Sequence, residues 1–459
     1  MKKSCIKGVV VGAAAFAIPL AASAASFIVL GTPGANLEAA VKAAGGKVTR
    51  SLAAIDAVVA DGDAAFKSKI QRQQGVQSVA PNLTIRWLPS EKRSAEAVAE
   101  AVDPPNNPPG SIDSRFNLQW GHTAVRAVDT WNYGYKGSGA KVAVLDGGFS
   151  LTHPDIAAQY APDCTADMTG EGIAYGPNSD DPTGVFSHGM HVAGTIAAAW
   201  NGIGTIGVAP DAKLCLVKVL FNYGSGSFED VAEGIIYAAD KGVDIINMSL
   251  GGAIYKAGVP GEYTAREAAE LKNFMARAVG YAYKRGVLVI TSAGNSGIDG
   301  DKDGALIHLP SDTPNSMSIS ATAPIGWAVN PAAAYLDYPA SYTNYGRSVI
   351  SVAAPGGDGA YPGNENCTLG GLTRPCWVFD LVFSTGGVVG SSAYYYWSGG
   401  TSMAAPHASG VAALIVSRFG KMHPSQLRTK LEKGSDDLGQ PGNDPFYGAG
   451  RVNAIKSMQ

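Results

Sequence analysis

The sequence predicts a doubly wound α/β domain on a mostly parallel sheet, preceded by a small α+β domain of ferredoxin-like order. Three observations carry that prediction. Residues 141–145, 213–220, 243–248 and 287–290 are near-continuous apolar runs, as strands buried on both faces are. Helical patterns over 188–199, 228–241 and 265–284 separate the runs, so strands and helices alternate. Ahead of them, residues 26–87 read in the order β-α-β-β-α-β.

The chain starts with a different kind of segment. Lys2, Lys3 and Lys7 precede an apolar stretch over 8–20, and Ala22-Ser23-Ala24 places small residues at a cleavage position. Residues 1–24 therefore read as a secretory signal; the apolar stretch is short for a membrane anchor, and Pro19 interrupts it. No later run is long enough to cross a membrane, so the expected location is secreted, extracellular or periplasmic. Without the three signal lysines the bases fall from 35 to 32 against 38 acids, which takes the formal charge from −3 to −6. A basic footprint is absent, and this argues against a nucleic-acid partner.

Export also changes the reading of the five cysteines. Cys5 leaves with the signal. Cys164, Cys215, Cys367 and Cys376 remain, and an even number in an oxidising compartment suggests two disulfides. Three pairings are open. Cys367 and Cys376 lie close together around a Gly-rich loop, so the expected pairing is Cys367 with Cys376 and Cys164 with Cys215.

In the small domain, residues 25–88, strands are expected at 27–30, 48–52, 55–60 and 76–79. Helices are expected at 37–44, stopped by Gly45-Gly46, and at 64–73, stopped by Gly75. Residues 89–110 then change character. Glu91-Lys92-Arg93 and Pro104-Pro105-Asn106-Asn107-Pro108-Pro109 bury little apolar surface and stay extended, as an exposed, protease-accessible linker does. Residues 111–459 form the large domain, long enough for a sizeable core.

Folds of this class carry their ligands at the carboxyl ends of the strands. Here those ends hold Asp146-Gly147-Gly148, Ser249-Leu250-Gly251-Gly252 and Ala293-Gly294-Asn295-Ser296-Gly297, while Ser187-His188-Gly189-Met190-His191 opens a helix. In Gly399-Gly400-Thr401-Ser402-Met403-Ala404-Ala405-Pro406-His407 a serine sits where a Gly-rich stretch turns into a helix with an apolar run over 411–416. Free amides at a helix start favour a developing negative charge. Taken singly, Asp146 and Asn295 read as turn residues, Ser402 as a cap, and His188 with His191 as a capping pair or metal ligands. Taken together they supply what a nucleophilic serine needs: a base for its proton, an acid to orient the base, and donors for the oxyanion.

At these residues the chain resembles the subtilisin-like serine proteases. The matching stretches are Val142-Ala143-Val144-Leu145-Asp146-Gly147-Gly148 with His153-Pro154-Asp155, His188-Gly189-Met190-His191-Val192-Ala193-Gly194-Thr195 and Gly207-Val208-Ala209-Pro210. Ile246-Asn247-Met248-Ser249-Leu250-Gly251-Gly252, Ser292-Ala293-Gly294-Asn295-Ser296-Gly297, the serine motif and Tyr447-Gly448-Ala449-Gly450-Arg451-Val452-Asn453-Ala454 complete the set. The resemblance runs from about Phe116 to the last residue, and the order Asp, His, Ser is the family's.

It implies that Asp146 orients the imidazole, His188 is the base, Ser402 attacks, and Asn295 with the Ser402 amide holds the oxyanion. Spacing alone does not choose between His188 and His191; alignment with the family places the base at His188. Extended protein or peptide substrates would pair with Ser249-Leu250-Gly251 and Gly224-Ser225-Gly226. The small domain resembles the family's propeptide, which assists folding and blocks the cleft until it is cut away. Asp155 with Asn201, Ile203 and Thr205 looks like a family calcium site. Residues 299–304 alternate carboxylates, but Pro310 stands where an EF-hand needs an acid, so they read as a solvated turn.

Met190 stands where the family has threonine, and segments 306–345 and 357–390 are longer than in compact members, which puts them at the border of the cleft. The expectation is a secreted, monomeric serine endopeptidase, made as an autoprocessed zymogen and acting through an acyl-enzyme. Two alternatives stay open: a catalytically idle peptide binder, and a metal-dependent hydrolase on His188 and His191 that lacks a third ligand.

Overall fold

The structure, a computed structural model, describes residues 25–88, 97–99, 113–177 and 182–459. The expected signal, 1–24, and most of the expected linker lie outside these residues.

The large domain is organised on an eight-stranded sheet in the order Tyr338–Pro339, Ser316–Ala323, Leu288–Ser292, Ile245–Met248, Lys141–Asp146, Lys213–Lys218, Ala166–Asp167, with Val352–Pro355 also on Ser316–Ala323. Every pairing is parallel except that of Tyr338–Pro339. Alternation along each strand explains the continuous apolar runs, because successive side chains go to opposite faces. Val142, Val144, Leu214, Leu216 and Ile245 join one core with helices His188–Ala197 and Thr401–Phe419. Ala143, Leu145, Cys215, Val217 and Ile246 join the other with helices Phe228–Asp240 and Ala265–Lys284. Each buried aliphatic side chain removed from water stabilises by about 1.5–3 kcal/mol.

All four expected strands form, with ends shifted by one to two residues. The sheet also extends further than the apolar runs predict. Ser316–Ala323 is buried at every position, yet its sequence is Ser-Met-Ser-Ile-Ser-Ala-Thr-Ala. Small side chains rather than apolar bulk fill that part of the sheet.

Helix starts follow local capping. Ser187 accepts the Met190 amide at 3.3 Å and Ser227 the Asp230 amide at 3.0 Å, while Thr264 and Glu267 form a reciprocal capping box. Helix Thr401–Phe419 has no cap of its own. Its first amide, on Thr401, is taken at 2.9 Å by Asn295 Oδ1 from another loop.

The small domain forms the expected antiparallel sheet in the order Lys47–Leu52, Ala57–Gly62, Ala25–Gly31, Val76–Pro81. Helices Leu37–Ala43 and Phe66–Ile70 cover one face over Val29, Val58 and Val79. The second helix is shorter than the predicted 64–73, and the third strand starts late because Ala53–Ile55 makes a 3-10 turn ended by Asp56 at φ 51°. Ile28, Leu30 and Val59 on the other face join the core of helices Phe228–Asp240 and Ala265–Lys284. Polar contacts rim this interface: Arg50 meets Asp230 at 2.9 Å and also Glu233, and Lys67 meets Glu267 at 2.5 Å. Beyond this sheet, Ala97–Ala99 pairs with Tyr394–Tyr396, so part of the expected linker adds a strand to the Val382–Val389/Ser392–Ser398 hairpin.

Candidate active site

The strand order reverses around Lys141–Asp146: the next long strand lies on one side of it and the following one on the other. The crevice beyond such a reversal is where this class of sheet holds ligands. Asp146, at the strand's last position, is fully buried, and Gly147 donates its amide to Oδ1 at 2.7 Å. His188, first residue of its helix, places Nδ1 3.0 Å from Asp146 Oδ1 and 2.9 Å from Oδ2. A carboxylate accepts, so Nδ1 carries the hydrogen and Nε2 is the basic nitrogen. His191 is turned elsewhere. Its Nε2 donates to the Val382 carbonyl at 3.0 Å, and burial pushes its pKa down to about 3. The two rings therefore serve different partners, which disfavours a shared metal.

Ser402 stands in the first turn of helix Thr401–Phe419, with its hydroxyl donating to the Ser249 carbonyl at 2.9 Å. Ser249 Oγ donates back to the Ser402 carbonyl at 2.7 Å. That carbonyl is available because its helical partner would be the nitrogen of Pro406, which carries no hydrogen. The chain of bonds continues inward: Asn247 Nδ2 donates to Ser249 Oγ at 3.0 Å, and Ser409 Oγ to Asn247 Oδ1 at 2.8 Å. Asn247 and Ser409 are fully buried, so the serine is braced from inside the domain.

Asn295 Oδ1 accepts both the amide and the hydroxyl of Thr401, at 2.9 and 2.7 Å. Its amide nitrogen is thereby turned the other way. Among the described residues no acceptor takes the Ser402 amide. Gly400 is extended, φ 161° and ψ 159°, so left-handed geometry is not what requires it; a Cβ there would stand 3.5 Å from Asn295 Nδ2, in the space before that donor.

Two cavities meet at Ser402. One, of about 340 Å³, is lined by Gly251, Ala293, Leu306 and His308 together with Trp87 and Leu88. The other, of about 790 Å³, is lined by His188, Asn295, Met403, Asp358 and Trp377. Segments 306–345 and 357–390 thus do border the cleft. Met190 is fully buried in the core behind it.

The expected substrate-pairing segments hold a strand of the chain itself. Thr84–Arg86 pairs antiparallel with Ser225–Ser227, Trp87 and Leu88 donate their amides to the Gly224 carbonyl at 2.9 and 3.1 Å, and Gly251 donates to the Trp87 carbonyl at 2.9 Å. Trp87 is buried against Phe228, ring centroids 5.1 Å apart, with Nε1 donating to the Gly226 carbonyl at 2.9 Å. Leu88 lines a small cavity together with Asp146, Gly147 and His188.

Asp155 Oδ2 accepts the Thr205 amide at 3.0 Å, and its Oδ1 accepts Asn201 Nδ2 at 3.3 Å. Sequence reasoning missed Asp113, which accepts the Gly202 amide of the same loop at 2.6 Å. Burial pushes both carboxyls up to about 7. Two buried carboxylates beside one loop supply oxygens of the kind a hard cation takes, although here both accept hydrogen bonds from the loop. Asn201 Oδ1 accepts the Ile203 amide at 3.1 Å, and Thr205 acts here as a donor. Among the described residues no cluster of three or more His, Cys, Asp or Glu has metal-ligand geometry. In the 299–304 turn, Asp301 accepts the Arg347 and Ser348 amides at 2.7 and 2.9 Å.

The structure pairs Cys164 with Cys215 and Cys367 with Cys376. The second disulfide closes hairpin Asn366–Leu369/Leu372–Pro375, whose two-residue turn, Gly370-Gly371, has φ 59° and 77°.

A family model described as "Subtilase family" matches residues 137–450. The chain is similar to M-protease of Shouchella clausii, 34% identical over 74% of this chain and 69% of that one. It is similar to thermitase of Thermoactinomyces vulgaris, 31% identical over 74% of this chain and 96% of that one. Fervidolysin from Fervidobacterium pennivorans, a keratinolytic enzyme related to subtilisin, superposes with a TM-score of 0.66 at 25% identity over 95% of this chain, which spans 61% of the fervidolysin chain. The epidermin leader peptide processing serine protease of Staphylococcus aureus shares the fold, TM-score 0.69 at 19% identity, over 95% of this chain and 98% of that one.

Proposed function

This chain belongs to the subtilase family of serine peptidases, which are hydrolases acting on proteins and peptides, and on that premise we propose that it is a secreted serine endopeptidase made as an autoprocessed zymogen. The observation that carries the reading is that His188, bonded to the buried Asp146, lines one cavity together with Ser402 and Asn295.

The chemistry is set by these groups. The Ser402 hydroxyl leaves the Ser249 carbonyl, gives its proton to His188 Nε2 and bonds to the scissile carbonyl carbon. Asp146 holds the ring in the tautomer that can accept and stabilises the imidazolium. Charge on the former carbonyl oxygen falls to Asn295 Nδ2 and the Ser402 amide. Collapse expels the amine, which takes the proton back from His188, and leaves an acyl-enzyme. Water then repeats the cycle with His188 as base, releasing the acid and restoring Ser402.

Residues 25–88 act as propeptide, and Thr84–Leu88 acts as the inhibitory strand where substrate would lie. Removal requires a cut between Leu88 and the large domain. Among the described residues no helix is long and apolar enough to cross a membrane, and the signal-like segment 1–24 supports export. Calcium would be held by Asp113 and Asp155 with oxygens of Asn201, Ile203 and Thr205; it would supply counter-charge and fix the loop, and takes no part in the reaction. The enzyme is read as a monomer.

The test is to express the full chain and its Ser402→Ala variant and to follow mass and peptide cleavage over time. Loss of the N-terminal segment in the wild type alone, together with peptide cleavage that the variant lacks, supports the reading. Equal peptide cleavage by the two proteins overturns it.

A further inference from the structure

The larger cavity beside Ser402 has a direction. Strand Thr84–Arg86 runs antiparallel to Ser225–Ser227 and leads to Leu88, which lines one small cavity with Asp146 and His188. A substrate lying the same way reaches the serine past the smaller cavity, whose walls include Arg86, Trp87 and Leu88. The 790 Å³ cavity shares His188, Asn295 and Ser402 with that path but is lined by none of those three tail residues. It therefore receives the substrate residues on the carboxyl side of the cleaved bond.

Its outer wall comes from the long segment that starts at Gly357. Tyr342 Oη donates to the Gly357 carbonyl at 2.5 Å, and the Cys367–Cys376 disulfide closes the hairpin further along. Two rings of this wall are seated on glycines. A Cβ at Gly326 would stand 2.6 Å from the Tyr361 ring, and one at Gly359 would stand 3.4 Å from the Trp377 ring. Phe186 joins the lining, its ring 4.4 Å from that of Tyr396.

Asp358 also lines the cavity. Its Oδ2 accepts the Ser341 amide at 2.5 Å, the one hydrogen bond to this carboxylate among the described residues. A carboxylate can accept about four. No lysine or arginine is among the residues that line the cavity. The charge is felt nearby: burial first, and then Asp358, push the Tyr342 hydroxyl well above its ordinary pKa. A carboxylate with open acceptor positions beside aromatic faces attracts a cation through charge and through the ring quadrupoles.

We propose that this cavity is a specificity pocket for a lysine or arginine side chain immediately on the leaving-group side of the cleaved bond, with Asp358 as the residue that selects it. The inference rests on the endopeptidase reading and deepens it. Cleavage then generates a product whose first residue is basic.

The test uses mature wild-type enzyme and a series of quenched fluorescent peptides. The sequence before the cleaved bond is held constant, and the first position after it carries arginine, lysine, norleucine or glutamate in turn. The expected result is a kcat/KM for arginine or lysine on the order of tenfold above norleucine, narrowing as salt is raised, with glutamate poorest. In Asp358→Asn the arginine to norleucine ratio falls to near one; a ratio within one preparation does not depend on how much of the variant folds. Trp377→Leu, which leaves the carboxylate in place, lowers the ratio partially. Equal kcat/KM across the wild-type series, or an unchanged ratio in Asp358→Asn, overturns the pocket assignment and leaves the endopeptidase reading standing. Absence of cleavage of every peptide by wild type overturns both.

Discussion

Ser249 and Ser402 bond to each other twice, each hydroxyl donating to the other's carbonyl, at 2.9 and 2.7 Å. The arrangement needs Pro406, whose missing N–H frees the Ser402 carbonyl, and Asn247, which holds Ser249 from behind at 3.0 Å. Asn247→Ala removes that support and leaves two buried hydroxyls short of a partner, at about 1–3 kcal/mol each. We expect kcat to fall about tenfold with KM little changed, and a lower melting temperature. Steady-state kinetics corrected by active-site titration separate the two effects.

Asn295→Leu tests the oxyanion role. Removing one such donor costs about 2.7–4 kcal/mol of transition-state stabilisation, a fall of about 10²–10³ in kcat. Because Asn295 also caps Thr401, the variant should lose stability by about 1 kcal/mol as well. A kcat within threefold of wild type would remove Asn295 from the mechanism.

Trp87 carries the grip of the tail on the cleft, buried against Phe228 and bonded to Gly226. Truncation of such an anchor typically costs about 2–4 kcal/mol of binding. In Trp87→Ala, activity should appear after a shorter lag, and the cleaved segment should co-purify less with the enzyme. An unchanged lag would mean that release of the segment does not limit activation.

Calcium binding should raise the stability of the Ser402→Ala chain by about 2.7 kcal/mol at a free concentration a hundredfold above its dissociation constant. Asp113→Asn and Asp155→Asn should each abolish most of that gain in calorimetry. Equal responses to calcium and chelator in all three proteins would exclude the site.

His407 is fully buried, its Nδ1 donates to the Met403 carbonyl at 2.8 Å, and burial lowers its pKa from 6.5 to about 4. The unfolded chain therefore takes up the proton first as pH falls. Stability from this group is complete above about pH 6.5 and is lost down to about pH 4, at about 1.4 kcal/mol per pH unit. Denaturant unfolding of the Ser402→Ala chain between pH 6.5 and 4.5 should become shallower by that slope in His407→Gln.

Asp146, His188, Asn295 and Ser402 were legible because each sits in a short stretch of Gly, Ser and Asn that breaks an apolar run. The four central strands were legible for the complementary reason. Ser316–Ala323 was hidden because a buried strand of serine, threonine and alanine has no hydrophobic pattern. Asp113 was hidden because its partners are backbone amides of a loop far along the chain, and amides have no sequence signature. The capping of Thr401 by Asn295 and the position of Asp358 likewise depend on loops meeting in space. Asn247 lay within a recognised stretch, but its function appears only when Ser249 and Ser409 are seen on either side of it.

Strand Thr84–Arg86 lies on Ser225–Ser227, the proposed substrate-pairing edge, while joined by covalent chain to the domain it occupies. A tethered strand of this kind faces its site at an effective concentration on the order of millimolar, whatever the protein concentration outside. Cutting the tether alters none of the contacts in the cleft; it changes only that number. On the proposed zymogen reading, occupancy from then on tracks the amount of free segment in solution, so that dilution becomes the activating event.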